Sequence, residues 1–241
     1  AALAGLAAIA LGVVLAVAAE TVAPHDPVKM ALEVSRQGSS AQYLLGTDEL
    51  GRDILSRIIY GFRISLTIGL VSTGIGLCQG LVVGAPSGYF GHWLDLLVMR
   101  GIDVLMSFPT ILVAIMVVTI LGPGLYNAMV AVGMAQVPLY SRLVRSLVLK
   151  LKNVDYVLAA RSLGARHLRI ICRHILPNCL SPLIVQSTLS IASAILSAAA
   201  LGFLGLGAEP PIPEWGAMLS KGRLYMRTAP HISIFPGLAI M

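Results

Sequence analysis

Long apolar runs separated by short polar breaks dominate this chain, and their lengths predict helices that cross a membrane. Residues 1–19 carry no charge, and about 20 apolar residues are enough to span a bilayer. A polar stretch from Thr21 to Gln42, with Pro24 and Pro27, predicts an extended loop. In the segment Leu44–Leu66, Ile54, Leu55, Ile58, Ile59 and Phe62 share one helical face, while Arg52, Asp53, Ser56 and Arg57 lie elsewhere. That pattern predicts an amphipathic helix along the membrane surface, ending near 62. A second span is expected over 64–86, where Ser72, Gly76, Gly80, Gly84 and Gly88 recur every fourth residue. Such a stripe either lets another helix approach closely or lines a pore with bare backbone, and close packing is the favoured reading.

Further spans are expected over 98–121 and 124–142, divided by Gly122-Pro123-Gly124. Phe108-Pro109 and Gln136-Val137-Pro138 mark kinks within them. Asp95, Arg100 and Asp103 precede or open the third span, and Arg100 and Asp103 have the spacing of an i,i+3 pair. They read either as interfacial pairing or as part of an inner gate. A fifth span covers 178–203, where Asn178 precedes a polar, uncharged face of Gln186, Ser190, Ser193 and Ser197. That face suits either hydrogen bonds between helices or the lining of a passage for a polar solute. An outer loop over 204–231 contains Pro210, Pro211 and Pro213, with Glu209 and Glu214 read as solvated by default and Trp215 as an anchor at the membrane surface. A sixth span starts at 232. The first and last spans are expected to be truncated.

The longest polar interruption, 143–177, contains DYVLAARSLGARHLRIICRHILP from Asp155 to Pro177. Asp155 is placed to N-cap a short helix, Gly164 permits a turn, and a second helix follows with Arg166, Arg169 and Arg173 at helical spacing. Two short helices meeting at a glycine, with a small-residue surface between basic flanks, form a docking surface rather than a pocket.

Composition agrees with this picture. The chain is 57% hydrophobic and 12% charged, with a mean hydropathy of +0.86, which describes one membrane domain rather than a soluble core. Eight of the 17 basic residues fall between Arg142 and Arg173. Membrane topology accounts for them, so the net charge of +6 does not argue for nucleic acid. By contrast, Glu20–Arg63 holds five basic against six acidic residues. The positive-inside rule therefore puts 143–177 and the N-terminus in the cytoplasm and 20–62 and 204–231 outside. Cys78, Cys172 and Cys179 lack paired metal spacing and read as free thiols. Asp48, Glu49 and Asp53 fit no metal loop. No phosphate-binding loop and no Ser/His/Asp or HExxH constellation is found, so no catalytic, cofactor or metal residues are assigned.

The 155–177 segment resembles the cytoplasmic coupling loop of permease subunits of bacterial binding-protein-dependent ABC importers. That pattern runs E-A-A, three residues, G, nine residues, I-x-L-P. Ala159, Ala160, Gly164, Leu176 and Pro177 fall in register, with Leu158 in place of Glu and His174 in place of Ile. Two further strings resemble the dipeptide/oligopeptide/nickel branch: G-T-D-x-x-G-R-D-x-x-S-R over Gly46–Arg57, and the segment with F-L-G-L-G and P-E-W-G within Leu201–Leu219. The resemblance implies an all-α, polytopic permease of six membrane helices in the bacterial inner membrane. The ATPase-coupling residues would be Asp155, Leu158, Ala159, Ala160, Arg161, Gly164, Ala165 and Pro177. It further implies a second homologous permease subunit, two ABC ATPases that bind the ATP and Mg, and an extracytoplasmic solute-binding protein. Peptides are the implied solute, with a nickel chelate or glutathione as alternatives. An ion-coupled secondary transporter is the rival from another class, although intramembrane acids and an inverted repeat are not evident.

Overall fold

The computed structural model describes residues 12–241, so 1–11 of the first expected span lie outside the described residues. Residues 12–17 are helical. The main helices are α1 (Ile54–Phe90), α2 (His92–Met106), α3 (Thr110–Leu121), α4 (Leu125–Leu151) and α5 (Asp155–Ser162). They are followed by α6 (His167–Phe203), α7 (Trp215–Gly222) and α8 (His231–Ile240). Among the described residues the only β pairing is an isolated bridge between Thr47 and Asp53. Both α1 and α6 are long and apolar enough to cross a membrane.

One boundary expected from the sequence is absent, and one expected kink is a sharp break. No break separates a surface helix ending at 62 from a span starting at 64: α1 is continuous over 37 residues, about 55 Å at 1.5 Å per residue. That exceeds a hydrocarbon core of about 30 Å, so α1 projects beyond it. The third span is not straight either, because α2 and α3 meet at 94°. Pro109 has no N–H to continue α2 and disfavours helical backbone at Phe108, which accounts for the break.

The helices are distributed over two compact units. One comprises residues up to 70, 118–129 and 193–241; the other comprises 71–117 and 130–192.

In the first unit, the charged residues of Gly46–Arg57 other than Glu49 are buried rather than displayed on a membrane surface. Arg52, Asp53, Ser56 and Arg57 are all less than 5% exposed. Asp53 caps α1, its Oδ2 accepting from Ser56 N at 3.0 Å and Ser56 Oγ at 2.5 Å. Asp48 Oδ1 accepts from the Leu50 and Arg52 backbones, and its Oδ2 accepts from Arg52 Nε at 2.7 Å. Arg57 Nη1 donates to Pro27 O at 2.9 Å. Gly51 has φ +74°, and a Cβ there would lie 1.8 Å from Ala31 O, so only glycine fits.

Glu214 and Trp215 also depart from expectation. Glu214 is 3% exposed rather than solvated and caps α7 through 2.8 Å bonds from Gly216 N and Ala217 N. Gly202 makes room for its carboxylate, since a Cβ there would stand 2.0 Å from Oε2. Trp215 is 4% exposed, and its Nε1 donates to Ile58 O at 3.2 Å where Gly61 leaves space. Its indole is core, packed edge-on against Phe62 at 4.9 Å, and not an anchor at the membrane surface.

Burial raises the Glu214 pKa above its ordinary 4.5, against the opposing pull of the two backbone donors. A raised folded-state value means the folded state holds the proton more tightly than the unfolded one. Stability is then lost as pH rises from about 4.5 through the shifted value. Glu214→Gln cannot titrate. The expected outcome is that thermal stability of the native chain, relative to this variant, declines as pH is raised through that window.

The second unit is built on close approach of α1 to α4. A Cβ on Gly76 would come within 2.9 Å of Gln136 Cβ, one on Gly80 within 2.3 Å of Tyr140 Cβ, and one on Gly84 within 2.4 Å of Ser141 O. On Gly88 it would lie 2.9 Å from Arg145 O. From the other side, a Cβ on Gly133 would lie 2.8 Å from Ser72 O. Lipid offers helices no hydrophobic drive to associate, so this backbone-level packing holds the pair together. The apolar core beside it includes Tyr89, Tyr140, Val144, Val148, Val157, Ile170 and Ile175. Asp103 pairs with Arg142 of α4 at 2.5 Å, not with Arg100. Asp95 takes a bidentate contact from Arg145, at 2.5 and 2.6 Å.

Candidate functional site: the 155–177 hairpin

α5 and the start of α6 form a hairpin whose shape is set locally. Val154, in extended backbone, is the N-cap of α5, and no side chain caps the helix. Asp155 is therefore not the cap. It is the first helical residue, where its charge still favours the positive end of the helix. Eight residues on, Leu163 N bonds Ala159 O, Gly164 N bonds Arg161 O at 3.0 Å and Ala165 N bonds Ala160 O at 3.1 Å. These last two bonds, around a glycine at φ +79°, constitute a Schellman motif. Ala160 and Ala165, which that motif brings together, are both half-buried, so the turn closes on small groups.

Burial divides the hairpin into an anchor and a display face. Val157 of α5 and Ile170, Ile171 and Ile175 of α6 are buried in the core of their unit. Asp155, Leu158, Ala159, Arg161, Gly164 and Pro177 are exposed. Around them stand apolar side chains that a water-facing loop would not carry, with Leu163 88% and Leu168 73% exposed. Arg166, Arg169 and Arg173 are exposed beside them. A Cβ on Gly164 would meet nothing within 4 Å, so the surface at the turn is open. The outcome is a shallow apolar patch with small residues at its centre and guanidinium groups around it, suited to a protein partner rather than a small solute.

The helices beside the patch run further than the sequence indicates. α4 continues to Leu151, nine residues past the expected end at 142. α6 begins at His167 and runs to Phe203 as one helix of 37 residues, not as a short helix followed by a span from 178. A π-helical turn at Ile171–Ile175 is accommodated within it, placing both of its ends in the core. The sequence suggests a boundary at Pro177, yet Pro177 follows directly on the π-turn, within the continuous helix.

The polar positions of α6 are not one uniform face in their surroundings. Asn178 is exposed and its Nδ2 donates to His174 O at 2.7 Å. Gln186 is half-buried and donates to Ser190 Oγ at 3.3 Å within the helix, and Ser190 is buried. Ser193 is exposed and Ser197 half-buried. Ser187, on the same helix, makes a bond to α4: its Oγ accepts from Tyr140 Oη at 3.0 Å. Among the described residues no group of three or more His, Cys, Asp or Glu could hold a metal ion.

Comparison with known proteins agrees with the fold. Residues 80–241 match the model of the binding-protein-dependent transport system inner membrane component. Over an alignment of 246 residues the chain is 47% identical to the di/tripeptide transport system permease protein DppC of Pseudomonas aeruginosa, covering 100% of this chain and 81% of that one. It is 50% identical over 205 residues to the dipeptide transport system permease protein DppC of Alkalihalophilus pseudofirmus, covering 85% and 67% of the two chains. The glutathione transport system permease protein GsiD of Pectobacterium atrosepticum is 49% identical over 204 residues, covering 85% and 68%. Among solved structures, the MetNI methionine ABC transporter in an inward-facing conformation superposes with a TM-score of 0.63 at 21% identity, over 78% of this chain and 89% of that one, which shows the fold. The chain therefore belongs to the family of binding-protein-dependent transport system inner membrane components, as a permease and not an enzyme.

Proposed function

We propose that this permease moves short peptides inward across the bacterial cytoplasmic membrane, driven by separate ATPase subunits that dock on the 155–177 hairpin. The observation carrying the proposal is that the displayed hairpin and α6 are one covalent and helical unit. His167–Phe203 is unbroken, and the hairpin's other arm is held by Val157 in the core. A partner that pulled on Ala159, Ala160 and Gly164 would move α6 as a rigid body rather than flex a loop. ATP and Mg belong to those partners. Two ATPases, a second homologous permease subunit in a heterodimer and an extracytoplasmic binding protein complete the assembly. The N-terminus and the hairpin face the cytoplasm. Asn178, Gln186, Ser190, Ser193 and Ser197 contribute uncharged hydrogen-bonding groups to the path, suited to peptide amides.

Peptides are favoured by the relatives named for dipeptides and di/tripeptides, which include one that spans the whole chain. Glutathione is the second reading, carried by the GsiD relative, and is itself a tripeptide in size and polarity. The test is uptake of a labelled dipeptide by the complete assembly in vesicles, with unlabelled dipeptides, tripeptides, glutathione and a nickel chelate as competitors. Competition by di- and tripeptides is the expected result. Competition by glutathione alone would establish the second reading, and competition by the chelate alone would defeat both.

A further inference from the structure

The end of α1 is gripped by the hairpin in a way that nothing in the docking surface requires. Tyr89, the penultimate residue of α1, is 7% exposed. Its Oη shares a 2.9 Å hydrogen bond with His167 Nδ1, from the first turn of α6. The Arg161 guanidinium, from α5, lies over the same ring at 5.7 Å from its centroid, within the range of a cation–π contact. The His167 ring also stands edge-on to Tyr89 and Phe90, at 5.6 and 5.8 Å. One residue earlier, Gly88 O accepts from Lys152 Nζ at 2.9 Å, so the chain leaving α4 holds the same helix end. Arg161 and His167 flank Gly164 on opposite arms of the hairpin, and one phenol ring engages both.

We propose that Tyr89 is a positioning residue for coupling. It binds both arms of the hairpin to α1, so that a displacement of the hairpin is delivered to α1 as well as to α6. Two helices then move with the ATPases instead of one. Without the clasp, the hairpin would still dock its partner and drag α6, but α1 would lag behind. This proposal rests on the reading of 155–177 as the ATPase-docking surface. Tyr89 itself is buried and contributes nothing to the displayed face, which makes the two ideas separable.

The experiment uses the complete assembly with its binding protein in proteoliposomes and measures solute taken up per ATP hydrolysed. Tyr89→Phe keeps the ring, its packing and the contact with Arg161, and removes only the hydroxyl. A hydrogen bond of this kind biases an equilibrium by about two- to tenfold. Assembly and melting temperature should stay at the native level while uptake per ATP falls by about that factor. His167→Ala should lower the ratio similarly, the double variant no further, and His167→Gln, which retains a hydrogen-bonding group, should preserve most of it. A native ratio in Tyr89→Phe, or additive losses in the double variant, would overturn the positioning role. Ala160→Arg serves as the parallel arm. If it leaves the ATPases bound, the docking reading falls. If it releases them while Tyr89→Phe couples normally, only the role of Tyr89 falls.

Discussion

Gly80→Leu is expected to prevent accumulation of folded permease. At this position α1 and α4 touch through backbone: a Cβ would stand 2.3 Å from Tyr140 Cβ, 3.0 Å from Tyr140 C and 3.1 Å from Ser141 N. None of these atoms is the end of a flexible side chain. Tyr140 is fully buried, and its hydroxyl is bonded to Ser187 of α6, so it cannot yield without disturbing a third helix. Overpacking a well-filled core costs about 1 to 3 kcal/mol, even when side chains can adjust. Here alanine alone should reach that range, and leucine should exceed it, because the helices must separate along the whole seam. Separation is not offset in lipid, where apolar surface released from packing gains nothing to drive it back. Gly74, on the same helix, has nothing within 4 Å of its Cβ position. Gly74→Leu should therefore fold with a melting temperature close to native, while Gly80→Leu yields little monodisperse protein in detergent. Equal behaviour of the two would mean that the stripe is not a packing seam.

Ala160→Arg should abolish function while leaving the fold intact. The position lies at the centre of the displayed patch, on the turn of α5 before Gly164, and is half-buried by its own hairpin. An arginine there would introduce a long charged side chain where a partner must approach a methyl group, against a surface already lined by Arg161, Arg166, Arg169 and Arg173. At the centre of an interface such a change costs several kcal/mol, and each 1.4 kcal/mol is about tenfold in affinity. Copurification of the ATPases and solute uptake should both fall at least tenfold, with the melting temperature of the isolated permease unchanged. Intact copurification would place the docking surface elsewhere.

These two sites were also the most legible in the sequence, and for physical reasons. Glycines at Gly76, Gly80, Gly84 and Gly88 repeat with the helical period, so the seam is local information. The Gly164 turn is equally local, since a Schellman motif is written within six residues. What stayed hidden depends on partners distant in the chain. Arg57 looks like part of a polar face until the Pro27 carbonyl, 30 residues away, is seen to accept from it. Glu214 looks solvated because its cap donors follow it, while its burial comes from Gly202 of α6. Trp215 finds its acceptor, Ile58 O, 157 residues away. Pro109 announced a kink, but the residue type alone does not give the 94° angle at which the two helices meet. Tyr89 could have been noted as an aromatic ending the glycine stripe, yet its partner His167 lies 78 residues further on.

Docking of the ATPases on the 155–177 hairpin is open to cross-linking. Cysteine placed at Ala160, in a background where Cys78, Cys172 and Cys179 are replaced by serine, would be paired with cysteines introduced across the ATPase surface of the assembled importer. A disulfide that forms in the membrane and responds to nucleotide is the predicted result. Absence of any cross-link to the ATPases, together with labelling of that cysteine by an impermeant thiol reagent from outside the cell, would contradict the account.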